Sequence, residues 1–387
     1  MTKKIWDITD FPVGIYKLNQ NQSINFQMNR FFNWSNDRVL LEQMRLLDNP
    51  HQTYTSLTND FIKLGNEALS AESNLRAAMY FRAAEFYLPE DNPLKKKLRD
   101  KFIALSNGFY SINDNQHFLV PYQDGNLSAY KLKSKNPIGT ILFVNGFDGY
   151  IEELTRMMLV YRDAGYNVIY FDGPGQGYAL ETSKMTMTSD WDKPVKAVLD
   201  YFDVSDVTAI GMSLGGNLVL HAAALEKRIK RVVCFDILPS LFNCVTRQLP
   251  DPIKEAISNS MVKNTNTSLI NDELNKLMGK SLMVQWAIQQ GMHVLGSRTP
   301  YDFIKQSQAY DTNTISRLVN QDVLLLAGKD DHYVANDQLA LQMCTLTNAH
   351  SITARIFTDK ESASNHCQLG NIGLAISTIL NWLNQIN

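Results

Sequence analysis

The chain has 387 residues, of which 44% are hydrophobic and 20% charged, enough apolar material for one large globular domain or two smaller ones. It carries 37 lysines and arginines against 39 aspartates and glutamates, and this net charge of −2 argues against nucleic acid or an anionic membrane as a partner. No stretch approaches the roughly 20 apolar residues of a membrane-spanning helix, and the four cysteines lack C-x-x-C spacing, so we expect a cytoplasmic protein with free thiols and no zinc site.

Residues 1–116 are predicted to be helical. The stretch Leu64–Leu88 is rich in alanine, leucine and methionine, and Leu75, Met79 and Phe86 recur near helical spacing. Pro89 ends this pattern because proline cannot continue a helix. We expect residues 1–116 to form an N-terminal helical domain whose apolar side chains serve either core packing or a dimer interface.

From residue 117 the pattern changes to strands. Phe118–Leu132, "FLVPYQDGNLSAYKL", is typical of a hairpin that turns at Asp124-Gly125. Short apolar, β-branched runs then alternate with helical segments, which predicts a doubly wound, mostly parallel α/β sheet within residues 117–387. The runs are Thr140–Val144, Asn167–Phe171, Val207–Ile210, Arg231–Phe235, Val323–Ala327 and Ala354–Phe357.

The connection between Asp236 and Gln321 is far longer than a crossover between strands requires, and it carries helical patterns. We interpret residues of about 240–318 as an inserted helical lid over the C-terminal edge of the sheet. Its methionines suit an adaptable apolar wall; they are Met278, Met283 and Met292. The alternative is a set of extra core helices that take no part in substrate binding.

A serine between glycines is the strongest chemical signal in the chain. Gly211-Met212-Ser213-Leu214-Gly215 fits the pattern G-x-S-x-G, and it stands between a predicted strand and a predicted helix. This context predicts a tight turn that exposes the Ser213 hydroxyl as a nucleophile at the edge of the sheet. Gly211 and Gly215 would leave room for the turn, because a Cβ at either position would clash.

A serine nucleophile needs a histidine as its base and a carboxylate that orients the histidine. In this architecture the chain order is serine, acid, histidine, which favours His366, after the last predicted strand, over the other six histidines. Asp331, in the loop after Val323–Ala327, is the expected acid. Asp330 and Asp236 are the alternatives, since each also follows a strand.

Two backbone N–H groups are expected to hold the negative charge that develops on the substrate oxygen. One belongs to Leu214, directly after the nucleophile, and the other to Phe147, in the loop after Thr140–Val144. The alternative for the second position is an ordinary turn without this role. Gly173–Gly177, "GPGQG", lacks the lysine and hydroxyl residue of a phosphate-binding loop, and we interpret it as a structural turn beside the active site.

From about residue 117 to its end, the chain resembles the α/β hydrolases. The motifs that carry the resemblance are "FDGPGQG", "GMSLGG", "AGKDDHYV" and "HCQLGN". It is more narrowly similar to the branch with an N-terminal helical domain, which includes 2,6-dihydroxypseudooxynicotine hydrolase, FrsA-like esterases and polyketide-shortening hydrolases of pigment and anthraquinone pathways. "NGFDGYIEEL" is similar to the Gly-Leu-Asp…Glu-Glu loop of that branch, with Asn145 and Phe147 as departures, and "AAMYFRAAEFYL" is similar to its N-terminal helix.

The resemblance implies an α/β-hydrolase fold with a triad of Ser213, Asp331 and His366, an oxyanion hole at Phe147 and Leu214, and no metal or cofactor. Because several members of the branch cleave a C–C bond beside a ketone, it implies hydrolysis of an aromatic or polyketide-like β-diketone, through an acyl-enzyme, in secondary metabolism. A carboxylesterase or thioesterase with the same triad is the alternative. A non-catalytic binding protein of the same fold is a third possibility. The resemblance also implies a homodimer through the N-terminal helices.

Overall fold

The computed structural model describes residues 4–49, 53–263 and 267–386. As predicted, the chain is helical up to the first strand. The helices of this part are α1 (Gln22–Ser35), α2 (Arg38–Arg45), α3 (Tyr54–Ser70), α4 (Asn74–Phe86) and α5 (Pro93–Tyr110). Side-chain oxygens of the preceding polar residues cap several of these helices; Asn21, for example, accepts hydrogen bonds from the first free N–H groups of α1.

Helix α4 is the centre of the N-terminal helices. Every residue from Ala77 to Tyr87 is buried, and the helix packs against α1, α3 and α5. A helix that is buried all round belongs to a core rather than to a free surface. Core packing is therefore confirmed for the apolar stripe that includes Leu75, Met79 and Phe86, while the homodimer stays a prediction.

Within the described residues, eight strands form one sheet in the order β1-β2-β4-β3-β5-β6-β7-β8. Strands β3 to β8 are parallel to one another, whereas β1 pairs antiparallel with β2, and β2 with β4. The strands are β1 (His117–Tyr122), β2 (Gly125–Leu132), β3 (Gly139–Val144), β4 (Tyr166–Phe171), β5 (Val207–Met212), β6 (Ile229–Phe235), β7 (Asp322–Gly328) and β8 (Ser351–Phe357). The predicted mostly parallel sheet is confirmed, and each predicted run lies within an observed strand.

The hairpin turn lies one residue earlier than predicted. Tyr122 pairs with Gly125, so Gly125 already belongs to β2 and the two-residue loop consists of Gln123 and Asp124. Gln123 supplies the left-handed backbone of the turn, with a φ of 50°.

Helices cover both faces of the sheet, as a doubly wound fold requires. They are α6 (Thr155–Asp163), α7 (Gly177–Glu181), α8 (Asp192–Tyr201), α9 (Leu214–Leu225), α15 (Asp337–Thr345) and α16 (Ile372–Ile386). The N-terminal helices share one hydrophobic core with one face of the sheet, and α1 packs against His366–Asn371, the segment after β8. No helix in the described ranges combines the length and the apolar character needed to cross a membrane.

The long connection between β6 and β7 is helical, as predicted. We call its helices the inserted helices: α10 (Leu241–Arg247), α11 (Asp251–Lys263), α12 (Thr267–Met278), α13 (Leu282–Leu295) and α14 (Pro300–Gln306). They join the second hydrophobic core, which lies on the other face of the sheet. The division of the chain at residue 116, with a lid at 240–318, stays a prediction.

Candidate active site

The turn between β5 and α9 places Ser213 in a backbone conformation that side chains rarely adopt, with φ 58° and ψ −124°. The neighbouring glycines make this turn possible. A Cβ on Gly211 would lie 1.9 Å from the carbonyl oxygen of Gly215, and one on Gly215 would lie 2.5 Å from that of Val144. Gly216, which the motif does not include, is needed as well, because its Cβ would lie 2.5 Å from the carbonyl oxygen of Asp236.

The substitution Gly215→Ala is expected to lower the free energy of unfolding by about 1–3 kcal/mol or more, because rigid backbone cannot move away from the added methyl group. Thermal unfolding would measure this loss. Gly108→Ala in α5 is the matched control, since nothing lies within 4 Å of its Cβ; it should stabilise the protein by about 0.5–1 kcal/mol. Equal melting temperatures for the two variants would contradict the tight turn.

The structure brings three predicted site residues into one hydrogen-bonded chain. The Nε2 atom of His366 lies 2.7 Å from Oγ of Ser213, and its Nδ1 atom lies 2.6 Å from Oδ2 of Asp331. The other carboxylate oxygen of Asp331 accepts hydrogen bonds from the N–H groups of Tyr333 and Val334, so the carboxylate cannot rotate freely. This arrangement permits the imidazole to take the proton of the serine hydroxyl while the aspartate holds the ring.

Burial and the ion pair shift the pKa values of His366 and Asp331 in opposite directions. Burial alone would lower the pKa of His366, but the charge and hydrogen bond of Asp331, together with Cys367, outweigh it and hold that pKa well above the usual range. Burial would likewise raise the pKa of Asp331, yet the charge of His366 and the hydrogen bonds that the carboxylate accepts keep it below the usual range. The pair therefore favours an imidazolium beside a carboxylate, the state that follows proton transfer from Ser213.

The two alternative acids occupy different environments. The side chain of Asp330 is exposed, whereas that of Asp331 is buried. Asp236 is buried at the end of β6, but its oxygens accept hydrogen bonds from backbone N–H groups and an amide; the donors are Ile237, Cys367 and Gln368. Burial, and then the charge of Asp331, raises the pKa of Asp236 to about 7. Asp236 thus anchors the loop that carries His366, and the geometry favours Asp331 as the partner of the imidazole.

The loop after β3 lies against the nucleophile. A Cβ on Gly146 would lie 3.1 Å from Cβ of Ser213. The N–H of Gly146 is bonded to the side chain of Asn145, whereas the N–H groups of Phe147 and Leu214 donate no hydrogen bond within the described part of the chain. Both predicted donors are therefore available, and their role as the oxyanion hole stays a prediction.

Gln176 holds this loop in place, a role that the sequence analysis did not assign. Its Nε2 atom donates to the carbonyl oxygens of Asn145 (2.6 Å) and Gly146 (3.0 Å), and its Oε1 accepts from the N–H of Gly173. The side chain is only 2% exposed. The signal was present in "GPGQG", where a lone glutamine stands among glycines and a proline beside the site.

Ser213 and His366 open into an apolar pocket that lies between the sheet edge, α1 and the inserted helices. Its apolar side chains include Phe26, Trp34, Leu241, Val245, Met283 and Trp286. This lining favours the interpretation of the insertion as a lid over that of extra core helices.

Of the three methionines predicted to form the pocket wall, the prediction holds for Met283 and is wrong for Met278 and Met292. Those two pack into the core cluster instead. Met292 follows Met283 by nine positions in α13, which at 3.6 residues per turn puts it on the opposite face of the helix.

Polar residues of the N-terminal helices also reach the pocket, which the sequence analysis missed. Gln27 and Arg30 of α1 line it together with Asp148 and Tyr333. Which face of α1 meets the pocket depends on how the N-terminal helices dock on the sheet, and local sequence does not encode that docking.

Among the described residues, two groups of acidic and imidazole side chains have the composition of a metal site: Asp236, Asp331 and His366, and Glu90, Glu181 and His293. In the first, N–H donors of the protein already occupy the oxygens of both aspartates. In the second, Lys95 and Arg99 pair with the two glutamates at 3.0 and 2.8 Å. Since these donors and cations fill the sites, neither group favours a metal ion.

Comparison with known proteins agrees with this geometry. Residues 139–357 match a family described as alpha/beta hydrolase fold. Hydrolase LUC6 of a Fusarium species is 26% identical over 365 residues, which cover 86% of this chain and 85% of LUC6.

Two solved structures share the architecture. Wild-type AbyA5 has a TM-score of 0.66 at 15% identity and covers 89% of this chain and 90% of its own. The 2,6-dihydroxy-pseudo-oxynicotine hydrolase has a TM-score of 0.53 at 17% identity and covers 87% and 89%. The aligned parts of this chain therefore extend beyond the sheet into the helical N-terminal region. These matches confirm the resemblance that the motifs predicted.

Proposed function

The chain belongs to the α/β hydrolase family, and from this premise we propose that it cleaves a C–C bond of a β-diketone or polyketide-like small molecule with Ser213, His366 and Asp331. The observation that carries the proposal is the hydrogen-bonded chain of these residues at the base of an apolar pocket. We place the reaction in secondary metabolism, and we keep the cytoplasm and a homodimer as predictions.

The first half-reaction would form an acyl-enzyme. His366 takes the proton of the Ser213 hydroxyl as the serine oxygen bonds to a ketone carbon of the substrate. The N–H groups of Leu214 and Phe147 hold the oxygen that becomes negative, and Asp331 keeps the imidazole in the required tautomer.

The bond that breaks joins the attacked carbon to the carbon between the two ketones. Its electron pair passes to the departing carbon as an enolate, and His366 returns its proton to that carbon. Water then gives a proton to His366 and attacks the acyl group on Ser213, which releases a carboxylic acid and restores the serine. The substrate and one water molecule balance the reaction.

The pocket supports a substrate that is apolar and aromatic, because most of its lining is aliphatic or aromatic. The structural relative named 2,6-dihydroxy-pseudo-oxynicotine hydrolase acts on a small dihydroxylated molecule. Ester cleavage would use the same triad, since the two reactions differ in the atom that leaves. A carboxylesterase is therefore the alternative that an experiment must separate from the C–C hydrolase.

The test is a product assay by mass spectrometry with benzoylacetone and phenyl acetate as matched substrates. Release of acetate and acetophenone from benzoylacetone, at a higher kcat/KM than acetate from phenyl acetate, would support C–C hydrolysis. Cleavage of phenyl acetate alone would make the protein an esterase. Failure of a fluorophosphonate to label Ser213 in the wild type would contradict both and favour a non-catalytic protein.

The substitution Gln176→Leu is expected to lower kcat about 10- to 100-fold with little change in KM. It removes the two hydrogen bonds that hold the carbonyl groups of Asn145 and Gly146, and small displacements of catalytic donors carry penalties of this size. Steady-state kinetics on the preferred substrate would measure the change.

Gln321→Leu is the matched control for this prediction. The Gln321 amide is also buried and also donates to two carbonyl oxygens, those of Ala223 and Ile229, but it lies outside the pocket. If both variants lost kcat equally, the effect of Gln176 would be one of general stability rather than of the loop beside Ser213.

A further inference from the structure

We propose that Arg30 of α1 and the hydroxyl of Tyr333 form a second anion-stabilising site, which binds the neighbouring oxygen of a β-dicarbonyl substrate and stabilises the enolate that leaves. The inference rests on the proposed function, because C–C cleavage creates an enolate and ester cleavage does not. The reacting carbonyl oxygen would lie at Phe147 and Leu214, and the second oxygen at Arg30 and Tyr333.

Arg30 has one N–H group left for a ligand. A guanidinium has five N–H donors. Within the described residues, four of them are used: two bond to Glu153, one to Gln27 and one to Asp148, at 2.8 to 3.2 Å. The remaining donor, on Nη2, belongs to a side chain that lines the same pocket as Ser213.

The guanidinium is also fixed in position beside the expected oxyanion loop. Glu153, which is buried, contacts both Nε and Nη2 of Arg30, and Asp148 directly follows Phe147 in the chain. Arg82 bonds to Glu153 and to the carbonyl oxygen of Asp148, which ties α4 to the same loop. A donor held in this way needs little rearrangement when charge develops on the substrate, which is the condition for strong stabilisation.

The hydroxyl of Tyr333, in the loop after β7, is the second proposed donor. Its ring lies 5.1 Å from that of His366, with an angle of 80° between them, and the side chain lines the pocket. Burial, and then the charge of Asp148, raises the pKa of Tyr333, so the hydroxyl keeps its proton and can donate a hydrogen bond in the pocket that Arg30 also lines. Its oxygen has no hydrogen-bond partner in the described ranges.

The same corner of the protein holds an unpartnered polar atom. The hydroxyl of Tyr87 is buried without a hydrogen-bond partner among the described residues, and the side chain is 6% exposed. Tyr87 is not among the residues that line the pocket, but its ring contacts that of Phe86, over which the guanidinium of Arg30 lies at 5.7 Å. A purely apolar ligand would leave the free N–H of Arg30 and the hydroxyl of Tyr333 without a partner at a penalty, whereas a ligand oxygen would accept from them.

The step balances without a further reactant. As the C–C bond of the tetrahedral intermediate breaks, its electron pair moves through the departing carbon onto the second oxygen, where Arg30 and Tyr333 donate hydrogen bonds. When His366 protonates the carbon, the pair returns to form the C–H bond and the second oxygen becomes a ketone again. Neither Arg30 nor Tyr333 gives up its proton.

The test compares two substrates in each variant. The ratio of kcat/KM for benzoylacetone to that for phenyl acetate is expected to fall about 10- to 100-fold in Tyr333→Phe and in Arg30→Gln, the loss of one hydrogen bond to a charged group. Arg76→Gln is the matched control: it removes another arginine–aspartate pair of the N-terminal helices, with Asp37 at 2.7 Å, and should leave the ratio unchanged.

An unchanged ratio in both test variants would overturn the inference while leaving the proposed function intact. If wild-type protein cleaved phenyl acetate but not benzoylacetone, the proposed function and the inference would both be wrong. If Arg30→Gln showed no cooperative unfolding, Tyr333→Phe would decide the question by itself.

A second measurement does not depend on turnover. In the Ser213→Ala background, bound benzoylacetone should show the longer-wavelength absorption of its enolate, because the second site stabilises that form. Adding Tyr333→Phe should reduce the enolate band. Equal difference spectra for the single and double variants would contradict the assignment.

Discussion

Ser213→Ala is expected to lower kcat about 10⁴- to 10⁶-fold, the largest effect of any single substitution in this protein. The hydroxyl is the atom that would bond to the substrate, and loss of a serine nucleophile carries a penalty of this order in comparable triads. Steady-state kinetics with the preferred substrate, together with fluorophosphonate labelling followed by peptide mass spectrometry, would measure it.

The same substitution is expected to change the free energy of unfolding by less than about 1 kcal/mol. In the structure the Ser213 hydroxyl is hydrogen-bonded to His366, and the substitution removes this one bond. Alanine keeps the Cβ atom, so the strain of the backbone, which has a φ of 58° at Ser213, does not change. Thermal unfolding therefore serves as the internal control. An inactive variant that no longer unfolds cooperatively would count against the assignment, because the loss of activity would then follow from the loss of the fold.

A large effect is also expected for Asp331→Asn, with kcat reduced about 10⁴-fold. An amide at this position keeps the shape of the side chain, but it favours the wrong tautomer of His366 and no longer stabilises the imidazolium. His366→Ala should be nearly as inactive as Ser213→Ala, since it removes the base itself.

Asp330→Asn is the matched control, because it makes the same chemical change one position earlier on an exposed side chain. Its kcat should stay close to that of the wild type. The reverse order of activities would move the acid to Asp330. An Asp236→Asn variant as inactive as Asp331→Asn, with its fold retained, would revive the third candidate.

The pH profile gives an independent readout of the same pair. The base acts in its neutral form, so activity falls as pH drops through the pKa of His366. Asp331 holds that pKa well above the usual range. Without the aspartate charge, burial dominates and lowers the pKa, so the acid limb of kcat/KM should move to lower pH in the residual activity of Asp331→Asn. A limb that stayed in place would show that Asp331 does not govern the titration.

Local patterns were sufficient to predict the framework of this protein. Each apolar run from Thr140–Val144 onward lies within a strand. For the inner strands the reason is that a strand buried on both faces needs a short, continuous, β-branched segment, whereas β8 lies at the edge of the sheet and is largely exposed. The turn at Ser213 was also readable, since its backbone conformation requires glycines at fixed offsets within five residues. Such requirements are satisfied by neighbours in sequence, and they leave a signature there.

The choice among candidate acids needed the tertiary structure. Asp330 and Asp331 are adjacent and chemically identical, and Asp236 ends a neighbouring strand. What separates them is which carboxylate faces the imidazole of His366 when the loops after β6, β7 and β8 pack together, and no local pattern encodes that arrangement.

Local sequence was also insufficient to predict the roles of three polar residues near the site, Arg30, Gln176 and Tyr333. Each acts on a loop or a ring that is distant in sequence: Arg30 on Asp148, Gln176 on Asn145, and Tyr333 beside His366. The sequence alone determined the sheet and the strained serine, because these follow from periodicity and from steric demands within a few residues. The tertiary structure alone decided which polar side chains surround the pocket, because that depends on the docking of the N-terminal helices and the inserted helices around the sheet edge.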